Sequence, residues 1–223
     1  MGVSTPDIQT NPSTALKAKH EAMMPMQVWL VRHGETEWSA SGQHTGRTDL
    51  PLTHEGQKHA TEIGRFLSGR RFRLVLTSPL QRAIETCRLA GYGDTAVLDS
   101  NLREWDYGEY EGYTTLGIRN ERPGWSLWSD GVPGGETIEQ VAARARAVID
   151  RTHSDFGDVL LFAHGHILRI LSCCWLGLPP QAGRLFALGT ASVCTLGYER
   201  ETRVITRWNS TFTDLEHRLI SLI

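Results

Sequence analysis

The sequence contains three short apolar runs that each end in residues able to bind an anion. These residues are Arg32, His33 and Gly34 after the first run, Ser78 and Arg82 after the second, and His164, Gly165 and His166 after the third. The planar guanidinium group of arginine can form two parallel hydrogen bonds with a phosphoryl group, and a neutral imidazole can act as a nucleophile. If the three runs lie side by side, these residues predict one phosphate-binding site.

The three runs also have the pattern of buried strands. They cover residues 28–34, 74–78 and 159–165, and they are apolar along most of their length instead of alternating. Strands of this kind belong to a parallel sheet that is covered by helices on both faces. Ligands of such sheets bind beyond the carboxyl ends of the strands, beside helix N-termini. The sequence therefore predicts an α/β protein, a three-layer sandwich with a mostly parallel central sheet.

Helix starts can be recognised between these strands. The predicted starts are Ser78-Pro79-Leu80-Gln81, Thr137-Ile138-Glu139-Gln140, and Thr53 for a helix that ends near Gly69. A Ser or Thr N-cap followed three residues later by Gln is a capping-box pattern. Residues 193–198 and 204–208 predict two late strands near a sheet edge.

The first of the three polar clusters resembles a known signature. Arg32-His33-Gly34-Glu35-Thr36 resembles the signature of the histidine phosphatase superfamily, in its phosphoglycerate-mutase-like branch 1. The similarity covers about residues 26–200 and includes Thr45-Gly46, Leu52-Thr53, Ser78-Pro79 with Arg82 and Thr86, Glu104 with Tyr107-Gly108 and Glu111-Gly112, and His164-Gly165-His166. The resemblance implies a phosphoglycerate-mutase-like fold and transfer of a phosphoryl group.

The resemblance also implies that His33 is the nucleophile and becomes a phosphohistidine. An imidazole attacks only through an unprotonated nitrogen. We expect the positive charges of Arg32 and Arg82 to lower the pKa of His33 and to keep it neutral near pH 7. The other ring nitrogen needs an acceptor that fixes the tautomer, and we expect a backbone carbonyl group there.

Arg32, Arg82 and His164 resemble the phosphate pocket of the family. Their charges would stabilise the equatorial oxygens of the transferred phosphoryl group, so we expect neither a metal nor another cofactor. His164 and His166 could instead be two ligands of a metal site, although no carboxylate or cysteine pattern nearby completes one.

Glu104 matches the acid/base position of the family, because a sugar or alkyl alkoxide leaves poorly unless it is protonated. The alternative interpretation is a surface ion pair between Glu104 and its neighbour Arg103. Four other carboxylates could take the acid/base role instead of Glu104. Asp106, Glu109 and Glu111 are expected to be solvated surface charges, and Glu136 is expected to be a charge in the first turn of a helix.

Further residues are candidates for contacts with the substrate: Ser39, His44, Thr45, Gly46, Tyr107, Gly165 and His166. Ser39 departs from the commoner motif, which has Asn after Trp, so a hydroxyl group replaces a phosphate-contacting amide. His166 either contacts the substrate or caps its helix. The segments 37–53, 102–112 and 162–169 are most similar to the sedoheptulose-1,7-bisphosphatase-like phosphatases, a subgroup that hydrolyses sugar phosphates.

The segment between Gly112 and Gly134 has two interpretations. It contains Trp125, Trp128, Arg119 and Arg122, with turn signals at Gly131, Pro133, Gly134 and Gly135. It either covers the site and selects the substrate, or its two tryptophans fill a satellite core.

Length and composition exclude several classes of protein. A chain of 223 residues with 40% hydrophobic residues and a net charge of -2 describes one globular domain. The balanced charge does not favour a nucleic acid partner, and no apolar run reaches the roughly 20 residues of a membrane span. We interpret residues 1–25 as an N-terminal extension and residues 26–223 as the domain. No secretory signal or myristoylation pattern is present, so the expected location is the cytoplasm.

The cysteines favour the same location. They are Cys87, Cys173, Cys174 and Cys194, and each lies in an apolar stretch. None belongs to a C-x-x-C pair, so we expect reduced core thiols, with a disulfide or a zinc site as the alternative.

The sequence is consistent with three functions. The first is a metal-independent phosphatase that acts on a small phosphorylated metabolite, such as a sugar phosphate or bisphosphate. The second is a cofactor-dependent phosphoglycerate mutase, although the segment after Gly112 is shorter than the insertion of those mutases and contains no adjacent Arg pair resembling theirs. The third is a non-catalytic module that binds phosphorylated ligands, for which a nucleophile and a proton donor would be superfluous. A homo-oligomer is compatible with each of them.

Overall fold

A computed structural model of the chain describes residues 26–153 and 157–211, and these contain one six-stranded sheet. The strands are β1 (Val28–Arg32), β2 (Leu74–Thr77), β3 (Ala96–Leu98), β4 (Val159–Ala163), β5 (Val193–Glu199) and β6 (Thr202–Ser210). Their order is β3-β2-β4-β1-β5-β6. The first four strands in this order are parallel, whereas β5 is antiparallel to both β1 and β6. The prediction of an α/β protein with a mostly parallel sheet is therefore confirmed.

The helices lie between and after the strands. They are α1 (Glu37–Ser41), α2 (His54–Leu67), α3 (Gln81–Leu89), α4 (Thr115–Glu121), α5 (Leu127–Asp130), α6 (Ile138–Thr152) and α7 (Gly165–Leu176). Short 3₁₀ turns cover Ser100–Leu102, Gly108–Tyr110 and Pro180–Leu185. The predicted extension, residues 1–25, lies outside the described residues, so this boundary stays a prediction.

Both faces of the sheet are covered, which explains the continuous apolar runs. In β1, Leu30 faces the core that contains Val141 of α6 and Ile167 of α7. Its neighbour Val31 faces the opposite core, which contains Ile63 of α2. Full burial of such a side chain stabilises the fold by roughly 1.5–3 kcal/mol. Two helical layers therefore enclose the sheet, as expected for a three-layer sandwich.

Two of the predicted helix starts are correct. Thr53 is the N-cap of α2 and accepts a hydrogen bond from the amide of Gly56. Thr137 and Gln140 form the predicted capping box at the start of α6.

The third helix start was predicted wrongly. Helix α3 begins at Gln81, its N-cap is Leu80, and Ser78 does not cap it. The amide of Gln81 instead donates to Asp49 Oδ1 at 2.8 Å. The reason is that the hydroxyl group of Ser78 lies 2.7 Å from Nε2 of His164 and forms a hydrogen bond with that ring instead.

The two predicted late strands are present as β5 and β6. β6 forms one edge of the sheet, whereas β5 lies inside it beside β1. The other edge strand, β3, was not predicted, because it has three residues and leaves Val97 and Leu98 exposed.

The four cysteines are all free thiols, and three of them are buried. Over residues 26–153 and 157–211, no helix has the length and the apolar character needed to cross a membrane. The same residues contain no group of three or more His, Cys, Asp or Glu side chains placed to hold a metal ion.

Candidate active site

The three polar clusters meet at the carboxyl ends of adjacent strands. Strands β1, β4 and β2 are neighbours in the sheet. The amide of His33 donates to the carbonyl oxygen of Ala163 at 3.0 Å, and the amide of Ser78 donates to that of Phe162 at 2.9 Å. The structure therefore brings together the residues that the sequence predicted to share one site.

His33 is held in one tautomer. Its side chain is buried, and Nδ1 lies 2.6 Å from the carbonyl oxygen of Gly34. Since a carbonyl oxygen only accepts, Nδ1 carries the proton and Nε2 keeps its lone pair. Burial, together with the charges of Arg32 and Arg82, holds the pKa of His33 well below 6.5. Both expectations for this residue agree with the structure, although the sequence did not reveal that burial is the larger cause.

Gly34 is required by the close approach of the loop after β1 to helix α2. A Cβ atom at Gly34 would lie 2.4 Å from the carbonyl oxygen of Gly56. A Cβ atom at Gly56 would in turn lie 2.2 Å from the carbonyl oxygen of Glu35. Two glycines therefore allow the backbones to touch, and this contact fixes the loop that carries His33.

Arg32 retains an unused hydrogen-bond donor in the site. Its Nη1 donates to the carbonyl oxygen of Leu188. Its Nε is buried and has no partner among the described residues. The guanidinium group packs against the start of α7, because a Cβ atom at Gly165 would lie 3.4 Å from its Nε. A buried unpaired donor is costly unless a ligand satisfies it, and a phosphoryl oxygen would do so.

Arg82 and His164 are fixed by protein contacts. Arg82 Nε donates to His164 Nδ1 at 3.1 Å, so His164 carries its proton on Nε2 and donates it to Ser78 Oγ. The other nitrogens of Arg82 donate to the carbonyl oxygens of Thr45, Gly46 and Thr48. The imidazole rings of His33 and His164 are 5.1 Å apart. These two residues thus place a fixed positive charge and a neutral imidazole beside the nucleophile.

Glu104 is buried and accepts only main-chain hydrogen bonds at short distance. Its Oε1 accepts the amides of Trp105 and Ile167, and its Oε2 accepts the amide of His166, all at 3.0 Å. Burial alone would raise the pKa of Glu104, but its contacts with His166, among them the main-chain amide, hold it well below 4.5. The surface ion pair with Arg103 is not formed.

A cavity of about 180 Å³ opens beside these groups. Nine of the predicted site residues line it: Arg32, His33, Ser39, His44, Thr45, Glu104, Tyr107, Gly165 and His166. Arg82 and His164 are not in its lining, and Gly46 lines a second cavity of about 270 Å³ instead.

Arg169 lines the same cavity and was missed as a site residue. Its Nε donates to the carbonyl oxygen of Gly183, and its guanidinium group stacks on Trp128 at 4.5 Å. It follows His166 by three positions on α7, and this helical spacing could have identified it.

Part of the cavity wall is made of neutral aromatic groups, His44, Tyr107 and His166. The hydroxyl group of Tyr107 lies 2.7 Å from His166 Nδ1, within hydrogen-bond distance, and its ring lies 4.8 Å from that of His44. Burial lowers the pKa of His44 to about 4, and burial likewise lowers the pKa of His166. These groups offer hydrogen bonds without a charge of their own.

The segment after Gly112 supports this wall. The ring of Trp125 lies 5.8 Å from that of His44, and the ring of Trp128 lies 5.3 Å from that of His166. Trp125 is buried and Trp128 is half-buried. Both interpretations of this segment are therefore partly correct. Its tryptophans belong to a core, and they also pack against His44 and His166, which line the cavity.

The hydroxyl group of Ser39 already has two partners. It accepts a hydrogen bond from the amide of Thr36 at 2.8 Å and donates to the carbonyl oxygen of Thr36 at 2.9 Å, in the capping box of α1. Ser39 thus stabilises the helix that follows the signature, besides lining the cavity.

Several of the rival carboxylates are not the solvated charges that the sequence predicted. Glu111 Oε1 accepts the amides of Gly46 and Thr48 at 2.8 and 2.9 Å, and its Oε2 is buried. Asp106, whose side chain is 13% exposed, pairs with Arg47 at 2.6 Å.

Glu136 also departs from its prediction. It precedes the N-cap of α6 and forms an ion pair with Arg144 instead of a charge in the first turn. Glu109 is exposed, as expected. Sequence spacing gave no signal for these contacts, because each partner is distant in the chain or lies in a loop.

The chain can now be compared with known proteins. Residues 28–211 match the model of the histidine phosphatase superfamily (branch 1). The chain is 40% identical over 178 residues to the acid phosphatase of Mycobacterium tuberculosis, which covers 78% of this chain and 87% of that protein. It is also 40% identical over 185 residues to the sedoheptulose 1,7-bisphosphatase of Saccharomyces cerevisiae, which covers 68% of each.

A solved structure has the same fold. It is a functionally characterised open reading frame of Mycobacterium tuberculosis, with a TM-score of 0.80 and 38% identity, and the match covers 84% of this chain and 98% of that one. The family match spans the strand ends, the cavity and Glu104. The chain therefore belongs to branch 1 of the histidine phosphatase superfamily and is a phosphatase.

Proposed function

We propose that this phosphatase hydrolyses small phosphomonoesters through a phosphohistidine at Nε2 of His33. One observation carries the proposal: a buried, neutral imidazole with a free Nε2 lies beside Arg32, whose Nε lacks a partner among the described residues. A nucleophile and an unsatisfied cationic donor at one cavity fit a phosphoryl group better than a neutral ligand.

The first half-reaction transfers the phosphoryl group to the enzyme. Nε2 of His33 forms a bond with phosphorus while the bond from phosphorus to the ester oxygen breaks. Glu104 passes the proton that the substrate monoanion brings to the leaving oxygen, so that an alcohol departs instead of an alkoxide. Arg32 donates to the phosphoryl oxygens, and the charge of Arg82 stabilises the same group from behind His164.

The second half-reaction releases phosphate. Glu104, now a carboxylate, takes a proton from water, and the water oxygen attacks phosphorus as the bond to Nε2 breaks. The products are the free imidazole of His33 and inorganic phosphate, which leaves with the proton that Glu104 took from water, so Glu104 is a carboxylate again. No step needs a metal ion, so activity in a chelator is expected.

The substrate class follows from the wall of the cavity. His44, Tyr107 and His166 offer neutral hydrogen-bonding groups on aromatic rings, which suits the hydroxyl groups and the carbon chain of a sugar. Arg169 adds a cation to this wall, so a second anionic group on the substrate would be stabilised there. We therefore propose sugar phosphates or bisphosphates as substrates, which matches the name of the yeast relative.

The proposed cellular setting follows from the state of the cysteines. Four free thiols favour a reducing compartment, so the cytoplasm is the proposed location. The proposed partner is a small phosphorylated metabolite, without nucleic acid or membrane binding, and a homo-oligomer remains compatible with the structure.

The test is release of inorganic phosphate in EDTA. The panel holds sedoheptulose 1,7-bisphosphate, fructose 1,6-bisphosphate, 3-phosphoglycerate and p-nitrophenyl phosphate. Fast release from a sugar bisphosphate is expected. Interconversion of 2- and 3-phosphoglycerate that depends on 2,3-bisphosphoglycerate and exceeds phosphate release would favour a mutase and overturn the proposal. Phosphate release that disappears in EDTA and returns with a divalent cation would overturn its metal independence.

A further inference from the structure

An ion pair between Arg144 and Glu136 lies behind the chain segment that carries Glu104. Arg144 Nε donates to Glu136 Oε1 at 2.8 Å, and Arg144 Nη2 donates to Glu136 Oε2 at 2.7 Å. The two side chains are only 16% and 23% exposed. This two-point geometry fixes both groups, unlike a single contact between exposed charges.

Arg144 also holds the main chain on the N-terminal side of the Glu104 carboxylate. Its Nη1 donates to the carbonyl oxygens of Asn101 and Arg103, both at 2.8 Å. Its Nη2 lies 3.4 Å from the carbonyl oxygen of Glu104 itself. One guanidinium group on α6 thus binds three carbonyl groups within four consecutive residues.

Glu136 holds the main chain on the other side. Its Oε2 accepts the amide of Asp106 at 3.0 Å, and its carbonyl oxygen accepts Trp105 Nε1 at 2.8 Å. Its own amide donates to the carbonyl oxygen of Asp106 at 3.0 Å. Glu104 therefore lies between two stretches of backbone that are both fixed by the same ion pair.

This arrangement matters because, in the described part of the chain, the Glu104 carboxylate is oriented by main-chain amides. Among residues 26–153 and 157–211, its short contacts are the amides of Trp105, His166 and Ile167, while His166 Nδ1 is 3.8 Å away. The position of the carboxylate thus depends on the position of its own backbone. An error of about 1 Å in the placement of a reacting group can lower the rate by about 100-fold.

We propose that Arg144 and Glu136 are positioning residues for Glu104, so that protonation of the leaving group depends on an ion pair that does not touch the phosphoryl group. The inference rests on the proposed function, since it requires Glu104 to act as the acid. Both residues line the second cavity, which Glu104 also lines. They lie outside the lining of the cavity that contains His33.

The test compares leaving groups in Arg144→Met, Arg144→Lys and Glu136→Gln. The measured quantity is kcat/KM, which reports the steps up to departure of the leaving group. For the best sugar phosphate, kcat/KM is expected to fall by about 10- to 100-fold in Arg144→Met, part of the effect of a general acid. For p-nitrophenyl phosphate, whose leaving group needs no proton, the fall is expected to stay within about 3-fold. Arg144→Lys and Glu136→Gln should give smaller losses of the same kind.

The double variant Arg144→Met/Glu104→Gln separates positioning from general destabilisation. If Arg144 acts through Glu104, adding Arg144→Met to Glu104→Gln should cause no further loss with the sugar phosphate. Equal losses with both substrates, or a full additional loss in the double variant, would overturn the proposal. Where Arg144→Met folds poorly, the same cycle with Arg144→Lys decides between the outcomes.

Arg151→Met is the matched control. Arg151 lies on the same helix and pairs with Asp99 at 2.9 Å, but it makes no described contact with residues 103–106. It should leave the ratio of the two kcat/KM values unchanged. A wild-type enzyme that releases no phosphate from any substrate would contradict the proposed function instead, so the two failures are distinguishable.

Discussion

Nδ1 of His33 lies 2.6 Å from the carbonyl oxygen of Gly34, its neighbour in the chain. The contact assigns the proton to Nδ1 and the lone pair to Nε2 before a substrate arrives. Burial lowers the pKa of His33, so this neutral tautomer persists into acidic solution. The nucleophilic nitrogen is therefore determined by the backbone that follows the signature, and no separate orienting side chain is needed.

The first prediction concerns this nitrogen. His33→Ala should lower phosphate release by about 1,000-fold or more, since removal of a covalent nucleophile leaves only binding and charge stabilisation. Phosphorylated wild-type enzyme should carry an acid-labile group at Nε2 of His33, detectable by phosphorus NMR after rapid denaturation. His54→Ala, which changes an exposed histidine on α2, should keep wild-type activity. Label on any other residue would contradict the assignment.

The second prediction concerns Glu104. In Glu104→Gln the side chain cannot supply a proton, so kcat/KM for a sugar phosphate should fall by about 100- to 10,000-fold. With p-nitrophenyl phosphate the loss in kcat/KM should be far smaller, because nitrophenolate leaves without protonation. The comparison needs only steady-state kinetics on two substrates. Equal losses on both would mean that Glu104 has a structural role at the start of α7.

The third prediction is an acidic pH optimum. The pKa of Glu104 lies well below 4.5, mainly because contacts with His166 outweigh burial, so the free enzyme holds a carboxylate at pH 7. The proton for the leaving group must then arrive with the monoanion of the substrate. For a phosphomonoester with a second pKa of about 6, kcat/KM should fall as the pH rises through that value.

The acidic side of the same profile reports His33. Because its folded pKa is lowered below 6.5, the nucleophile is lost only when the pH falls below that lowered value. The optimum for a sugar phosphate should therefore lie between the two limits, on the acid side of neutrality. A kcat/KM that stays level as the pH rises from 6 to 8 would show that Glu104 or another group carries the proton in the free enzyme.

Local patterns predicted the parts of the fold and site that depend on neighbouring residues. The apolar strands, the capping box at Thr137 and the tautomer of His33 each follow from a few consecutive side chains. The prediction failed at Ser78, where a helix N-cap was expected. Its hydroxyl group binds His164, which lies on a different strand end, and no local rule describes that contact.

The wrong predictions for other residues have the same cause, a contact between segments that are distant in the chain. Glu111 was interpreted as a surface charge because acidic residues are usually solvated, and Glu136 was interpreted as a charge in the first turn of a helix. Each instead binds backbone amides of a segment that becomes adjacent only after folding. The edge strand β3 was not predicted, because its three residues are half-exposed or exposed and do not form the apolar run that marks a buried strand.

The fourth prediction concerns Glu111 and the loop that carries Thr45. Glu111→Ala removes the acceptor of the Gly46 and Thr48 amides, so the free energy of unfolding should fall by about 1–3 kcal/mol. The KM for a sugar phosphate should rise as well, because Thr45 lines the cavity.

Two further variants make this result specific. Glu111→Gln keeps an acceptor oxygen and should recover most of the stability and the KM. Glu109→Ala changes an exposed carboxylate in the same segment and should change stability by less than about 0.5 kcal/mol. A Glu111→Ala enzyme with unchanged denaturation and kinetics would show that the two amide contacts are dispensable.

The last prediction tests the cation that lines the cavity, Arg169. Arg169 has its Nε bound to Gly183 and its guanidinium face on Trp128, so it is held in place without a carboxylate partner among the described residues. Burial lowers the pKa of Arg169, and a nearby anion would offset that cost. Arg169→Met should therefore raise the KM for a sugar bisphosphate by about 10-fold or more, an energy of about 1.4 kcal/mol or more.

The corresponding sugar monophosphate is the control substrate, since it has no second anionic group that Arg169 could bind. Its KM should change by less than about 3-fold, because no charge-assisted contact is removed. Arg184→Met, which changes an exposed arginine in the neighbouring 3₁₀ turn, should leave both KM values unchanged. If Arg169→Met weakens both substrates equally, the guanidinium group acts on the transferred phosphoryl group or on the packing of Trp128, and the substrate need not carry a second anionic group.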